Sequence, residues 1–253
     1  MTYASTSQLP SPAPFDFPRA LRALAALNQD PDETSHVFTI IESLSGSARP
    51  YLVSLFRQTE EGRGLLSTRP AIVKVLADRD ALRAMPAGSL AHAYLRFVES
   101  EGITADGLVA ASDASAARMH EAGSELEFAS NRMRDTHDLW HTLTGFKGDI
   151  LGEAALLAFT APQTRNPGIA VIALLGFSRV RQPKAWKLMV HGLKNGLRAH
   201  PLAAIAWEDL LPLPIEEVRA RLGVVCAPTY APLRSEQLRA EGVLPPRPVM
   251  ATA

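Results

Sequence analysis

A single cysteine, Cys226, in 253 residues has no second thiol in the chain to pair with. That excludes an internal disulfide framework and suits a reducing compartment. Net charge is missing too: 26 basic residues balance 26 acidic ones, so there is no overall electrostatic reason to expect a nucleic-acid partner. Long apolar runs are absent. The longest, Gly168 to Phe177, is ten residues, about half of the roughly 20 that cross a bilayer. The first residues carry neither an early positive charge nor an apolar run, and four prolines fall between Pro10 and Pro18. No signal peptide is therefore expected, and a first arginine at Arg19 does not suit an Arg-rich transit peptide. Period-two strands with hairpin turns and strand–helix–strand alternation are lacking as well, which leaves a mostly α fold.

What is present is a core-forming composition, 47% apolar, with helical spacing along most of its length. Residues 1–14, rich in Ser, Thr, Pro and Ala, read as a disordered leader. Helices are expected over Phe15–Leu27, then from a cap at Asp32 or Thr34, then over Pro50–Gln58. Glu60 to Gly64 reads as a loop, with Pro70 opening the next helix. Ser89 caps a helix carrying Leu90, Tyr94 and Phe97. Ala117 to His141 is one long helix or two in tandem, with a break at Gly123-Ser124. A further helix spans Asp149 to Thr160. The apolar run 168–177, a basic segment from Arg179 to His200 and a short helix Ile215–Leu222 follow. Residues 227–253, Pro-rich, read as an extended tail. With no convincing linker or repeat, residues 15–226 form a single-domain helical bundle.

The chemistry concentrates at His137-Asp138-Leu139-Trp140-His141, with Glu153 twelve residues further on. On a helix, residues four apart share a face, so both imidazoles can point at one spot. Asp138 lies about 100° round the helix from His137. Glu153 requires a second element folded back alongside, and Gly145, Gly148 and Gly152 permit that reversal. Imidazole and carboxylate are the usual nitrogen and oxygen ligands of zinc or a similar dication. Three of the four as ligands leave a position for water or substrate, and Asp138 can instead act as a base on bound water. HDxxH alone is weak, since the same residues make a polar helix face. A zinc peptidase is the obvious competitor, but Asp138 is one methylene shorter than the glutamate of HExxH. Arg132 and Arg134 precede the motif and, with Arg179, Arg181, Lys184, Lys187, Lys194 and Arg198, can meet an anionic group, although charges on helices are usually a solvated face. A short apolar run beside a basic segment suits a membrane surface. Its plainer reading is a buried core helix.

Arg132 to Phe146, continuing to Gly152-Glu153, resembles the signature of the ubiquinone-biosynthesis Coq4-type family. Glu61 to Pro70 and Met85 to Tyr94 are similar to two further family stretches, and the similarity spans roughly residues 35–225. The resemblance implies a mostly helical fold with an apolar lipid-binding cleft and a zinc or related divalent metal on His137, Asp138, His141 and Glu153, which would also be the catalytic residues. It implies removal of the C1 carboxylate of a polyprenylated hydroxybenzoate, with or without hydroxylation there, or alternatively a non-catalytic scaffold that presents prenyl lipids. Membrane-surface attachment, other ubiquinone-biosynthesis proteins and self-association are implied as partnerships. With no signal peptide or spanning segment, a cytoplasmic chain peripheral on the inner face of the membrane is expected. Arg132 and Arg134 are candidates for the substrate carboxylate. The apolar wall is sought among Leu90, Tyr94, Phe97, Leu156, Phe159, Ile172 and Leu175. One departure stands out: where the family often has Lys and a second Glu, this chain has Leu157 and Thr160. A metallohydrolase is the third reading.

Overall fold

The computed structural model describes residues 8–30, 33–107, 110, 123–179 and 183–242. Among them the secondary structure is helical, and the one isolated β-bridge pairs Ser89 with Pro214. The mostly α expectation therefore holds. Backbone contacts group the chain into two compact units. One gathers Met1–Ala13, Ser47–Leu143 and His200–Leu222; the other gathers Pro14–Gly46, Thr144–Ala199 and Gly223–Ala253. Neither is a continuous stretch, which is why no linker is visible in the sequence.

The first unit contains α3 (Ala48–Gln58), α4 (Glu60–Thr68), α5 (Ile72–Ala77), α6 (Arg79–Arg83), α7 (Leu90–Ser100), α8 (Glu125–Asp135), α9 (His137–Thr144), α13 (Trp207–Leu210) and α14 (Ile215–Leu222). Helix α3 packs on α4 and α8, while α7 packs on α6 and α14. Val53, Phe56, Leu82, Leu90, Leu139 and Trp207 are fully buried among these helices. Ser89 caps α7 as expected, accepting from the His92 N–H at 3.3 Å. Ser124 caps α8 the same way toward Glu127 at 3.0 Å, so the break expected at Gly123-Ser124 is where α8 begins.

The second unit contains α1 (Phe17–Gln29), α2 (Thr34–Ser43), α10 (Ile150–Thr164), α11 (Pro167–Arg179), α12 (Pro183–Arg198) and α15 (Ser235–Ala240). Helix α10 packs on both α11 and α12, and α2 packs on α1 and α11. Helices α10 and α12 touch backbone to backbone. A Cβ at Gly192 would lie 2.3 Å from the Ala155 carbonyl oxygen, and one at Gly196 would lie 2.1 Å from that of Phe159. Only glycine, four residues apart on one face, lets the helices approach that closely.

Several local expectations are corrected. Glu60 to Gly64 is helical, because the Thr59 hydroxyl caps the Gly62 N–H at 2.9 Å and Glu60 and Glu61 sit favourably in the first turn. The next helix starts at Ile72, two residues after Pro70. Helix α2 is capped by Glu33, which accepts from Ser35; the candidate cap Asp32 lies outside the described residues, and Thr34 is the first helical residue. Helix α10 runs past Thr160 to Thr164 with Pro162 inside it. The tail expected to be extended folds into α15, and residues 243–253 lie outside the description. Of the expected leader, residues 8–14 form no helix and 1–7 lie outside it, as do 111–122 of the stretch before α8.

Candidate metal centre

Thr136 separates α8 from α9. Its hydroxyl donates back to the Arg132 carbonyl at 2.9 Å, and its own carbonyl accepts from the Leu139 N–H at 3.0 Å. That places His137 first in α9 and His141 one turn on. Leu139, Trp140 and Leu143 bury the opposite side of the helix. At its far end, the Arg219 guanidinium donates to the carbonyls of Leu143 at 2.8 Å and Thr142 at 3.2 Å, a cation where the helix dipole is negative.

The two imidazoles meet edge to face, centroids 4.7 Å apart and planes at 75°. His141 is buried, whereas the His137 side chain keeps 47% of its surface exposed. Phe97 of α7 stacks on His141. Asp138 Oδ1 lies 3.4 Å from His137 Nδ1. Glu153 sits in the first turn of α10. Ligand-capable atoms of His137, His141 and Glu153 lie within 4.8 Å of one another. This donor set, two imidazole nitrogens and one carboxylate oxygen, fits zinc. Three of the four residues singled out from the sequence are thus brought together, and Asp138 stands next to them against His137.

Tyr94, one turn before Phe97 on α7, is fully buried. Burial pushes its hydroxyl up to about 12; the Arg79 guanidinium pulls the other way, and the Asp138 carboxylate adds to the rise. Arg79 stands over the Tyr94 ring, 5.1 Å from its centroid. Its two terminal nitrogens and the Tyr94 hydroxyl are buried, and the guanidinium acts on that hydroxyl by its charge and by a side-chain hydrogen bond. No spacing rule links Arg79 to Tyr94, so sequence reasoning missed it, as it missed Arg219.

The two arginines named from the sequence are engaged elsewhere. Arg132 is 2% exposed and forms a forked ion pair with Glu208, at 3.0 and 2.7 Å, plus a bond to the Ile205 carbonyl at 2.9 Å. Arg134 holds Asp135 and Asn131. Leu90, Leu156, Phe159 and Ile172 are buried, Leu175 half-buried. Lys187, Lys194 and Arg198 are exposed; the side chains of Arg179, Arg181 and Lys184 lie outside the described residues.

The family model of the coenzyme Q (ubiquinone) biosynthesis protein Coq4 matches residues 19–228. The chain belongs to the Coq4 family. It is 30% identical to the mitochondrial ubiquinone biosynthesis protein COQ4 of Podospora anserina over 187 residues, 70% of this chain and 59% of that protein. To its counterpart in Eremothecium gossypii it is 30% identical over 208 residues, 79% of this chain and 62% of that one. The Drosophila ananassae homologue is 28% identical over 206 residues. The chain thus matches about 60% of the length of the two fungal relatives. A crystal structure of a protein from Nostoc punctiforme shares the fold, with a TM-score of 0.60 at 22% identity, over 83% of this chain and 99% of that one.

Within this Coq4-family chain the two departures have local explanations. Leu157, half-buried, packs its side chain against the apolar cluster around Ile40 and Ile172. Thr160 donates to the Leu156 carbonyl one turn back, at 2.8 Å.

Proposed function

We propose that the chain holds a divalent metal, zinc in the first instance, on His137, His141 and Glu153 with Asp138 beside them. In this reading it acts in ubiquinone synthesis, removing the C1 carboxylate of a polyprenylated hydroxybenzoate. The observation that carries the reading is the grouping of two imidazoles and a carboxylate within 4.8 Å in a chain of the Coq4 family. Three protein ligands leave a fourth position open, the arrangement of a catalytic zinc site. The ion would supply Lewis-acid charge toward a substrate oxygen.

The chain's own residues supply the remainder. Arg79, a buried cation beside Tyr94, is placed to meet the substrate's carboxylate or phenolate. Tyr94 stays protonated at neutral pH and can donate a hydrogen bond. Phe97 walls the head group. In simple decarboxylation the C1–carboxylate bond breaks, its electron pair stays on the ring carbon, and a solvent proton takes the place of carbon dioxide. Hydroxylation at C1 instead requires an external oxidant.

No helix among the described residues is long and apolar enough to cross a membrane. Attachment to a membrane surface is supported by α12. Trp186, Leu193 and Leu197 are 53%, 43% and 66% exposed and fall on one stripe at helical spacing, with Lys187, Lys194 and Arg198 exposed beside it. Other ubiquinone-biosynthesis proteins and a second copy of the chain belong to the same proposal as partners. The test is turnover: metal-loaded protein given a prenylated hydroxybenzoate should release carbon dioxide, and His141→Ala should abolish release while keeping the helical circular dichroism. Full quinone synthesis in cells carrying only that variant would favour the non-catalytic scaffold.

A further inference from the structure

Glu153, in the first turn of α10, approaches the two imidazoles of α9 across a short reversal of the chain. The reversing segment, Thr144 to Asp149, is tied down by residues far away in sequence. Ala227 donates its N–H to the Thr144 carbonyl at 2.7 Å. The Tyr230 hydroxyl accepts from the Lys147 N–H at 2.7 Å and donates to Asp149 Oδ1 at 2.9 Å. Asp149 Oδ2 accepts from the Leu233 N–H at 2.7 Å and caps α10 by accepting from Leu151 at 3.1 Å. Ile150 donates to the Leu233 carbonyl at 3.1 Å, and Glu153 donates its own N–H to the Asp149 carbonyl at 2.8 Å. Upstream, Asn195 of α12 anchors both backbone groups of Val225, at 2.6 and 2.9 Å.

Two further observations fit the same device. A Cβ at Gly152 would lie 1.9 Å from the Lys147 carbonyl oxygen and 2.5 Å from the Tyr230 hydroxyl, so the residue next to Glu153 is glycine where the strap presses on the helix. The Lys147 ammonium lies over the Tyr230 ring, 5.5 Å from its centroid. The family match ends at residue 228, so Tyr230 and Leu233 lie outside it.

We infer that residues 225–233 form a strap that sets the Glu153 carboxylate, with Tyr230 and Asp149 as positioning residues for the metal centre. The inference rests on the metal reading above. Asp149 is 2% exposed, and its hydrogen bonds come from Tyr230, Leu151 and Leu233. The strap and the start of α10 therefore move as one piece. Removing the Tyr230 hydroxyl frees the Lys147 N–H and one oxygen of Asp149, and the first turn of α10 loses the heading of Glu153.

The test is zinc affinity by chelator competition, together with the visible spectrum of the cobalt-substituted full chain, both well below the melting temperature. Wild type, Tyr230→Phe, Asp149→Asn and, as reference, Glu153→Gln are compared. Tyr230→Phe keeps the ring and should weaken zinc about tenfold or more, the usual effect of losing a group that orients a ligand. Its cobalt spectrum should shift toward that of Glu153→Gln. Asp149→Asn should move both readouts in the same direction. If zinc affinity and cobalt spectrum match wild type in both variants, whatever happens to the melting temperature, the strap is only a brace and the inference fails. If the wild-type chain takes up no metal, the metal reading fails and this one with it.

Discussion

Phe97 lies flat on His141, ring centroids 5.1 Å apart and planes 13° from parallel. The contact joins the helix that carries Tyr94 to the helix that carries both histidines, and it fixes the buried imidazole from one side. A ligand ring held this way keeps its nitrogens on one heading. Phe97→Ala should therefore weaken zinc binding by about tenfold, read by chelator competition. Unchanged affinity would mean that the stack is packing alone.

Tyr94 makes a pH prediction. An unfolded tyrosine ionises at its ordinary value of 10.0, the buried one at about 12. Between those values the folded chain retains a proton that the unfolded chain has lost. Its stabilising contribution is fully present below pH 10 and is lost as pH rises through 12. The difference is worth about 3 kcal/mol. Unfolding free energies from urea titrations across that range should fall less steeply in Tyr94→Phe than in wild type; parallel curves would refute the assignment.

Arg132 and Glu208 form a pair whose arginine is shielded from water. Removing the carboxylate strands the buried guanidinium, so Glu208→Leu should cost about 3 kcal/mol in urea denaturation. The double change Arg132→Leu with Glu208→Leu should recover much of it. A variant that keeps full stability but loses hydroxybenzoate binding would return Arg132 to the substrate.

Arg79 is expected to recognise negative charge. Wild-type protein should bind 4-hydroxybenzoate about tenfold more tightly than the uncharged 4-hydroxybenzyl alcohol, a difference of about 1.4 kcal/mol. Arg79→Gln should erase the preference and Arg79→Lys should keep part of it, as isothermal titration would register. Equal preference in wild type and Arg79→Gln would remove this arginine from the site.

The helices and the histidine motif were legible in the sequence because both are periodic. Ser89 and Ser124 sit at helix starts for a reason that local chemistry states outright, and His137 and His141 need only one turn of helix to meet. Glycines on the approach to Glu153 signal the reversal that brings it within 4.8 Å of the two histidines. The rest depends on contacts between distant segments. Arg132 pairs with Glu208, 76 residues away, and no local spacing announces that contact. Arg79 comes to lie over Tyr94 only through packing. Tyr230 and Asp149 are 81 residues apart, and nothing in a Pro-rich tail announces that it returns to cap a helix. Glu60 to Gly64 read as a loop because two glycines outweighed the threonine cap that starts the helix.

The central claim is the metal centre itself. Diffraction data collected at the zinc absorption edge on crystals of the zinc-loaded full chain test it most directly. The account predicts one anomalous peak about 2.0–2.2 Å from a nitrogen of His137, a nitrogen of His141 and an oxygen of Glu153. An empty position there, or a peak held by other residues, would contradict it.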